Sequence, residues 1–398
     1  MQDLAQPVSL LMNGDNATIR VAVVSLICLN YGNTLLLISL VRALQALGMD
    51  AFVLPYRHEH STKLIKQAHY MGEGLPTTSS HMRSELLSEA LDLDIQTLRP
   101  TIEGALHKAR KTRPSIDVAI LTADSWNWNN PLFPFDSALM GEGLTGRMPV
   151  IAYAASFSDS VDSNGHPDCS SHREGGHTAK CVSPRFLQSL GSLLGNIKNI
   201  SLRDGPSRAL VHNLTSTKPD VHVDSAFLWD GWQKLAKAQA EHNASNTSTH
   251  NQKLVTYTHG FPNSHMLSQL ASDNKLERLD VSNGPVTAYK WLAAMDQAKL
   301  IITNTFHGLV FALLLNRPFW VCGPLPTMKQ VKVKAMLADV GLRHRLIHCA
   351  KKWPKGIDLH QVIDFGRINE WIASQRNRSL TYLQSIADAV KGGRAKEM

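Results

Sequence analysis

Residues 299–320, KLIITNTFHGLVFALLLNRPFW, leave the chain few ways to fold. Leu300, Ile301 and Ile302 form a short apolar run. The polar trio Thr303, Asn304 and Thr305 follows, and 309–315 is again apolar, with no Pro until Pro318. Two apolar runs joined by a short polar turn read as a buried strand passing into a buried helix. That unit delivers side chains to the carboxyl edge of a parallel sheet. His307 then stands at a helix N-terminus, where backbone N–H groups lack intrahelical partners and favour an anion. Gly308 is expected to let backbone approach a ligand closely. The competing reading is a packing histidine in an ordinary α/β unit.

The same pattern recurs along the chain. Residues 19–26 (IRVAVVSL) read as a strand, the turn Asn30, Tyr31, Gly32, Asn33 follows, and 34–47 is a mostly apolar helix closed by Gly48. A second strand at 50–54 completes a right-handed βαβ unit. The turn lies where such units bind ligands but is no G-x-G-x-x-G fingerprint. A strand at 116–122 runs into Asp124, Trp126 and Trp128, which read as a ligand loop or, for the tryptophans, as core. Further strands are expected at 149–154, 197–202, 221–228, 254–257 and 319–322, with terminal helices over 363–390. Arg203 ends a strand and faces a new helix, which suits bidentate capture of phosphate or carboxylate; a salt bridge is its alternative.

These alternating elements predict an α/β chain of two Rossmann-like domains facing a cleft. A tail is expected over 1–17, an N-terminal domain over 18–192, a C-terminal domain with the donor site over 193–362, and helices with a frayed tail over 363–398. A chain of 398 residues exceeds one ordinary core. Its net charge of +8 suits an anionic substrate or membrane surface, but no run is dense enough for a nucleic-acid arm. Five scattered cysteines predict no disulfide framework and a reducing compartment. Residues 1–16 make a poor signal peptide and no run is long enough to span a bilayer, so a cytoplasmic protein is expected. Cys169, His172, His177 and Cys181 could enclose zinc, but their order matches no strong metal signature and no metal is expected.

With these stretches in view, the chain resembles the polysaccharide pyruvyltransferase family. The likeness is carried by Asn30-Tyr31-Gly32-Asn33, Tyr153-Ala154-Ala155-Ser156-Phe157, Ser201-Leu202-Arg203-Asp204-Gly205-Pro206-Ser207, and above all Asn304-Thr305-Phe306-His307-Gly308 followed by Asn316-Arg317-Pro318. Gly341 to Leu346 also fits the end of that region, and looser matches are the segment around Asp124 and Val223 to Leu228. The resemblance implies a GT-B-like architecture and transfer of a pyruvyl group from phosphoenolpyruvate, a co-substrate with no further cofactor, to a sugar diol as a cyclic ketal. It implies His307 as the catalytic residue and a basic residue at Arg203 for the donor. Many members carry Arg where this chain has Thr305, so one donor charge must come from elsewhere; Lys329, Lys332, Arg317 and Arg345 are the candidates.

The donor set is thus expected to comprise Arg203, Asn304, Thr305, Gly308, Lys329 and Arg345, with Asp124 as partner base to His307. The acceptor set is Asn30, Tyr31, Asn33, Trp126, Trp128 and His259. The expected partners are phosphoenolpyruvate and an exopolysaccharide or lipid-linked sugar acceptor, with peripheral contact at the inner face of the plasma membrane and no nucleic acid. Two other classes stay open: a GT-B glycosyltransferase using a nucleotide sugar, and a non-catalytic carbohydrate-binding protein.

Overall fold

The computed structural model describes residues 18–25, 31–57, 91, 98–122, 126–128, 135–168, 182–244, 252–258, 264–282, 287–323, 331–349 and 353–393. The chain divides into two compact units. The first runs to Trp229 and takes back the chain from Gln375; the second holds Asp230–Ser374.

The first unit carries a six-stranded parallel sheet in the order β2-β1-β3-β4-β5-β6. Its strands are β1 (Arg20–Val24), β2 (Asp50–Val53), β3 (Val118–Thr122), β4 (Val150–Ala155), β5 (Asn199–Leu202) and β6 (Asp220–Val221). Every residue of β3 and β4 is buried. Strands covered by helices on both faces read as continuous apolar runs rather than alternating ones, which is how they could be found in the sequence. Helices α1 (Tyr31–Ala46), α2 (Ile102–Ala109), α3 (Pro184–Gly195) and α4 (Gly205–Thr215) belong to this unit.

The expected boundary at 192/193 is corrected by the sheet. β5 pairs with β4, and β6 with β5, so both strands extend the first sheet. A second correction concerns 30–33. Tyr31, Gly32 and Asn33 form the first turn of α1 and not a separate loop. First-turn N–H groups need no partner four residues back, so glycine and asparagine are tolerated there.

The second unit carries a five-stranded parallel sheet, β11-β10-β9-β7-β8. Its strands are β7 (Lys253–Tyr257), β8 (Glu277–Asp280), β9 (Ala298–Thr303), β10 (Phe319–Gly323) and β11 (Leu346–His348). With them come α5 (Trp232–Ala244), α6 (Ser264–Asp273), α7 (Ala288–Gln297), α8 (Phe306–Leu314) and α9 (Val331–Asp339). All nine residues of α8 are buried. A helix apolar all round has to lie inside its domain, and Phe311 anchors it edge-on between Trp232 and Trp291, each 5.2 Å away.

The long C-terminal helix α10 (Phe365–Lys391) contributes to both units. Its buried Ile368, Ile372, Ser379, Leu383 and Ile386 recur at helical spacing. Cys322 and Cys349 are joined as a disulfide across β10 and the end of β11. The scatter of cysteines in the sequence hid this pair because neighbouring parallel strands bring residues 27 apart into contact. Among the described residues no helix is long and apolar enough to cross a membrane.

Candidate active site

The motif read first in the sequence is built from threonine hydroxyls. Gly308 N–H donates to Thr305 Oγ1 at 3.0 Å, and Thr305 Oγ1 lies 3.0 Å from Thr303 Oγ1. Thr303 Oγ1 donates to the Tyr257 carbonyl at 2.6 Å. A hydroxyl has one proton. Thr303 spends its proton on Tyr257, so Thr305 donates to Thr303, and the chain of bonds runs one way from α8 into β7. Thr305 is therefore the N-cap of α8. A threonine in this role satisfies one orphan N–H, which a long basic side chain would leave open.

The role expected of Gly308 is corrected here. A Cβ at that position would stand 2.7 Å from Thr305 Oγ1 and 2.8 Å from Thr303 Cβ. The close approach that demands glycine is to the helix's own capping threonines, not to a ligand. Gly308→Ala is expected to destabilise the protein by about 1–3 kcal/mol, the cost of overpacking a tight contact. Urea unfolding measures it, and a midpoint equal to wild type would contradict the packing account.

His307 follows in the first turn of α8 and is 5% exposed. Its ring meets Phe306 edge-on at 5.5 Å, and Lys332 Nζ, from the first turn of α9, sits 5.5 Å from the same Phe306 ring. Asn304 is buried between the two threonines. The structure thus gathers an imidazole, an ammonium and a capped helix N-terminus in the second unit.

Arg317 and Arg345, two further candidate cations, have partners of their own. Arg317 pairs with Asp296 at 2.8 Å. Arg345 is fully buried, lies 4.5 Å over the Trp320 ring, and donates to the Gln361 carbonyl at 2.6 Å. Burial lowers its pKa. Arg345 is thus a packing residue and not a donor ligand.

Arg203 belongs to the first unit, so the expectation that it shares a domain with His307 is corrected. Its guanidinium pairs with Asp224 at 2.5 Å, both side chains being 2% exposed. Asp224 also accepts from Ala226 N–H at 3.0 Å. The alternative reading of Arg203, a salt bridge, is what the structure shows, with Asp224 as its partner. Asp204 caps α4 through Ser207 N–H at 2.8 Å and accepts from Ser156 Oγ at 2.7 Å. The sequence carried that signal as an Asp followed by Gly-Pro-Ser, the pattern of a helix start.

Beside this network the backbone is strained. Ala154 and Ser158 hold φ of +48° and +52° at the exit of β4. Such conformations cost about 1–3 kcal/mol each for residues with a Cβ and cluster at functional sites. Composition gives no sign of them. Sequence reading also missed buried His222, which stacks on Tyr382 at 4.4 Å and lies 6.2 Å from Tyr153. Its Nδ1 is 3.2 Å from Ser379 Oγ. Burial, helped by Arg378 and opposed by Asp220, holds the imidazole down to about 4, so it is a neutral strut between β6 and α10.

The tryptophans expected at the acceptor site are core residues. Trp126 is fully buried, donates to the Leu139 carbonyl at 3.0 Å and lies 5.2 Å from Phe157. Trp128 sits between Phe157 and Phe186 at 5.4 and 5.6 Å. Asn33 is 7% exposed within α1. Asn30, Asp124, His259 and Lys329 lie outside the described residues, as does the side chain of Tyr31. In the His/Cys segment only His166 is described, and its Nδ1 lies 3.5 Å from Asp162.

The family model for polysaccharide pyruvyl transferase matches residues 30–325. The chain belongs to that family. The matched residues include both motifs just described, and the family makes the chain a transferase of polysaccharide biosynthesis. Lys332 and Arg345 fall beyond the match. No curated protein matches the chain.

Among solved structures, the UDP-GlcNAc 2-epimerase from Neisseria meningitidis bound to UDP-GlcNAc is 11% identical over 93% of this chain and 100% of that one, with a TM-score of 0.52. A putative UDP-N-acetylglucosamine 2-epimerase from Listeria monocytogenes is 9% identical, covering 95% and 94%, with a TM-score of 0.47. The glycosyltransferase SnogD from Streptomyces nogalater is 13% identical, covering 94% and 99%, with a TM-score of 0.39. At such identity the first of these speaks to fold alone. With the two parallel sheets it gives this family member the two-domain, GT-B-like α/β fold that its sequence implied.

Proposed function

We propose that the protein transfers the pyruvyl group of phosphoenolpyruvate to a sugar diol of an exopolysaccharide or lipid-linked oligosaccharide, forming a cyclic ketal. The observation that carries this reading is His307 in the first turn of α8, with Lys332 Nζ 5.5 Å from the ring of the adjacent Phe306, inside a chain matched by the family model. The reaction adds a proton to the methylene carbon of the donor and leaves a cation-like centre at C2. One sugar hydroxyl attacks that centre, phosphate leaves, and the second hydroxyl closes the ring. Of the two hydroxyl protons, one balances the new methyl group and the other departs with phosphate. His307 serves as the proton carrier, because an imidazole gives and takes protons near neutral pH.

Lys332 supplies the charge that Thr305 cannot, since Thr305 is occupied as the cap. Arg203 is left out of the donor set because Asp224 already holds its guanidinium. Lys332→Met is expected to raise the apparent KM for phosphoenolpyruvate about tenfold or more, the worth of a charge-assisted hydrogen bond. Its kcat and unfolding midpoint should stay near wild type. An unchanged KM would remove Lys332 from the donor site. Calorimetric titration with phosphoenolpyruvate, against UDP-GlcNAc as control, tests the donor class: binding of the first and not the second is expected, and the reverse would favour a nucleotide-sugar transferase.

A further inference from the structure

Parallel strands all begin at one edge of their sheet. In the first unit that amino edge is lined with cations. Arg20 is the first residue of β1, Arg113 precedes β3, Arg147 precedes β4, Lys198 precedes β5 and Lys218 precedes β6. Two of the six strands start on an acid: β2 on Asp50, which Arg20 and Arg113 share at 3.6 Å each, and β6 on Asp220, which Arg378 meets at 3.8 Å. Neighbouring strands lie about 4.8 Å apart, so the row from β1 to β6 spans about 19 Å. The segment 108–113 (KARKTR), leaving the C-terminal end of α2, adds Lys108, Arg110 and Lys111 to the same edge. Arg110 and Lys111 are exposed. With Asp50, Glu103, Asp117, Glu142 and Asp220 counted against it, the edge remains net positive.

Cations at a helix C-terminus also favour the helix itself, which accounts for Lys108 but not for Arg147, Lys198 and Lys218, which lie in the segments leading into β4, β5 and β6. We infer that this edge is a docking surface for an anionic phospholipid bilayer. A broad row of short loops suits a flat charged partner. Nucleic acid fits less well: single strands need aromatic platforms for stacking, and among the described residues Val362 is the one large apolar side chain that is well exposed. Without apolar insertion, binding rests on charge and is screened by salt. The inference is independent of the transfer reaction, since it concerns the opposite edge of the first sheet from the Arg203–Asp224 pair.

Cosedimentation of the full-length protein with vesicles tests it. Binding to phosphatidylglycerol–phosphatidylcholine vesicles should exceed binding to pure phosphatidylcholine at least tenfold and disappear at 0.5 M salt. Each surface cation contributes about fivefold to partitioning. The double variant Arg110→Glu/Lys111→Glu should therefore bind at least about 25-fold more weakly, with the thermal midpoint of the wild type. Equal binding to neutral vesicles, no binding to anionic ones, or unchanged binding by the double variant would overturn the inference. So would tighter binding to duplex DNA than to the anionic vesicles at the same salt, which would assign the edge to nucleic acid.

Discussion

His307→Gln is expected to lower turnover about 10²- to 10⁴-fold, the usual worth of a general acid–base group, while the protein stays folded. Glutamine keeps a polar side chain of similar reach in the first turn of α8 but neither gains nor loses a proton near neutral pH. The rival reading is a packing histidine, and burial at 5% exposed is compatible with it. The two readings separate cleanly. A packing role predicts a lower unfolding midpoint with kcat spared in the folded fraction. A proton-carrier role predicts lost kcat at an unchanged midpoint. Near wild-type transfer by folded His307→Gln would remove the residue from the chemistry.

Asp224→Ala should be the most destabilising single change in the first unit, by about 3–5 kcal/mol, because it strands a guanidinium that is 2% exposed. The same substitution withdraws the acceptor from Ala226 N–H and uncaps the short turn after β6. Urea unfolding gives the magnitude. The double variant Arg203→Met/Asp224→Leu should recover most of the loss, since apolar groups of similar volume replace a buried pair at little cost. A single variant within 1 kcal/mol of wild type would mean that the pair does not hold the β5 and β6 exits together.

The strands were legible in the sequence because buried parallel strands are written as unbroken apolar runs, as in 118–122 and 150–155. The His307 motif was legible for the same reason, being a polar turn between two such runs. Sheet order was not. Nothing in 199–202 says whether that strand joins the strands before it or after it; only its pairing with β4 decides.

Side-chain roles failed in one consistent direction. Trp126, Trp128 and Arg345 are residue types that bind ligands and also anchor cores, and sequence alone cannot separate the two uses. Arg345 shows why: its charge is satisfied by the Gln361 carbonyl and the face of Trp320, partners remote in sequence from any motif. Gly308 was correctly marked as a place of close approach, but what approaches is Thr303 and Thr305, two residues already in view. The strained Ala154 and Ser158 left no trace in composition; the N–H of Ala154 donates to Ser201 Oγ, a partner 47 residues away, and that of Ser158 to Ser156 Oγ.

The most direct test incubates the purified protein with phosphoenolpyruvate and a panel of free and lipid-linked sugars bearing vicinal or 4,6-related hydroxyls, and follows adduct mass and phosphate release together. One acceptor should gain the mass of a pyruvyl ketal with one phosphate released per adduct, and both signals should vanish with His307→Gln. A folded wild-type protein that binds one of these sugars yet yields neither adduct nor phosphate, or that instead consumes a nucleotide sugar, would contradict the account.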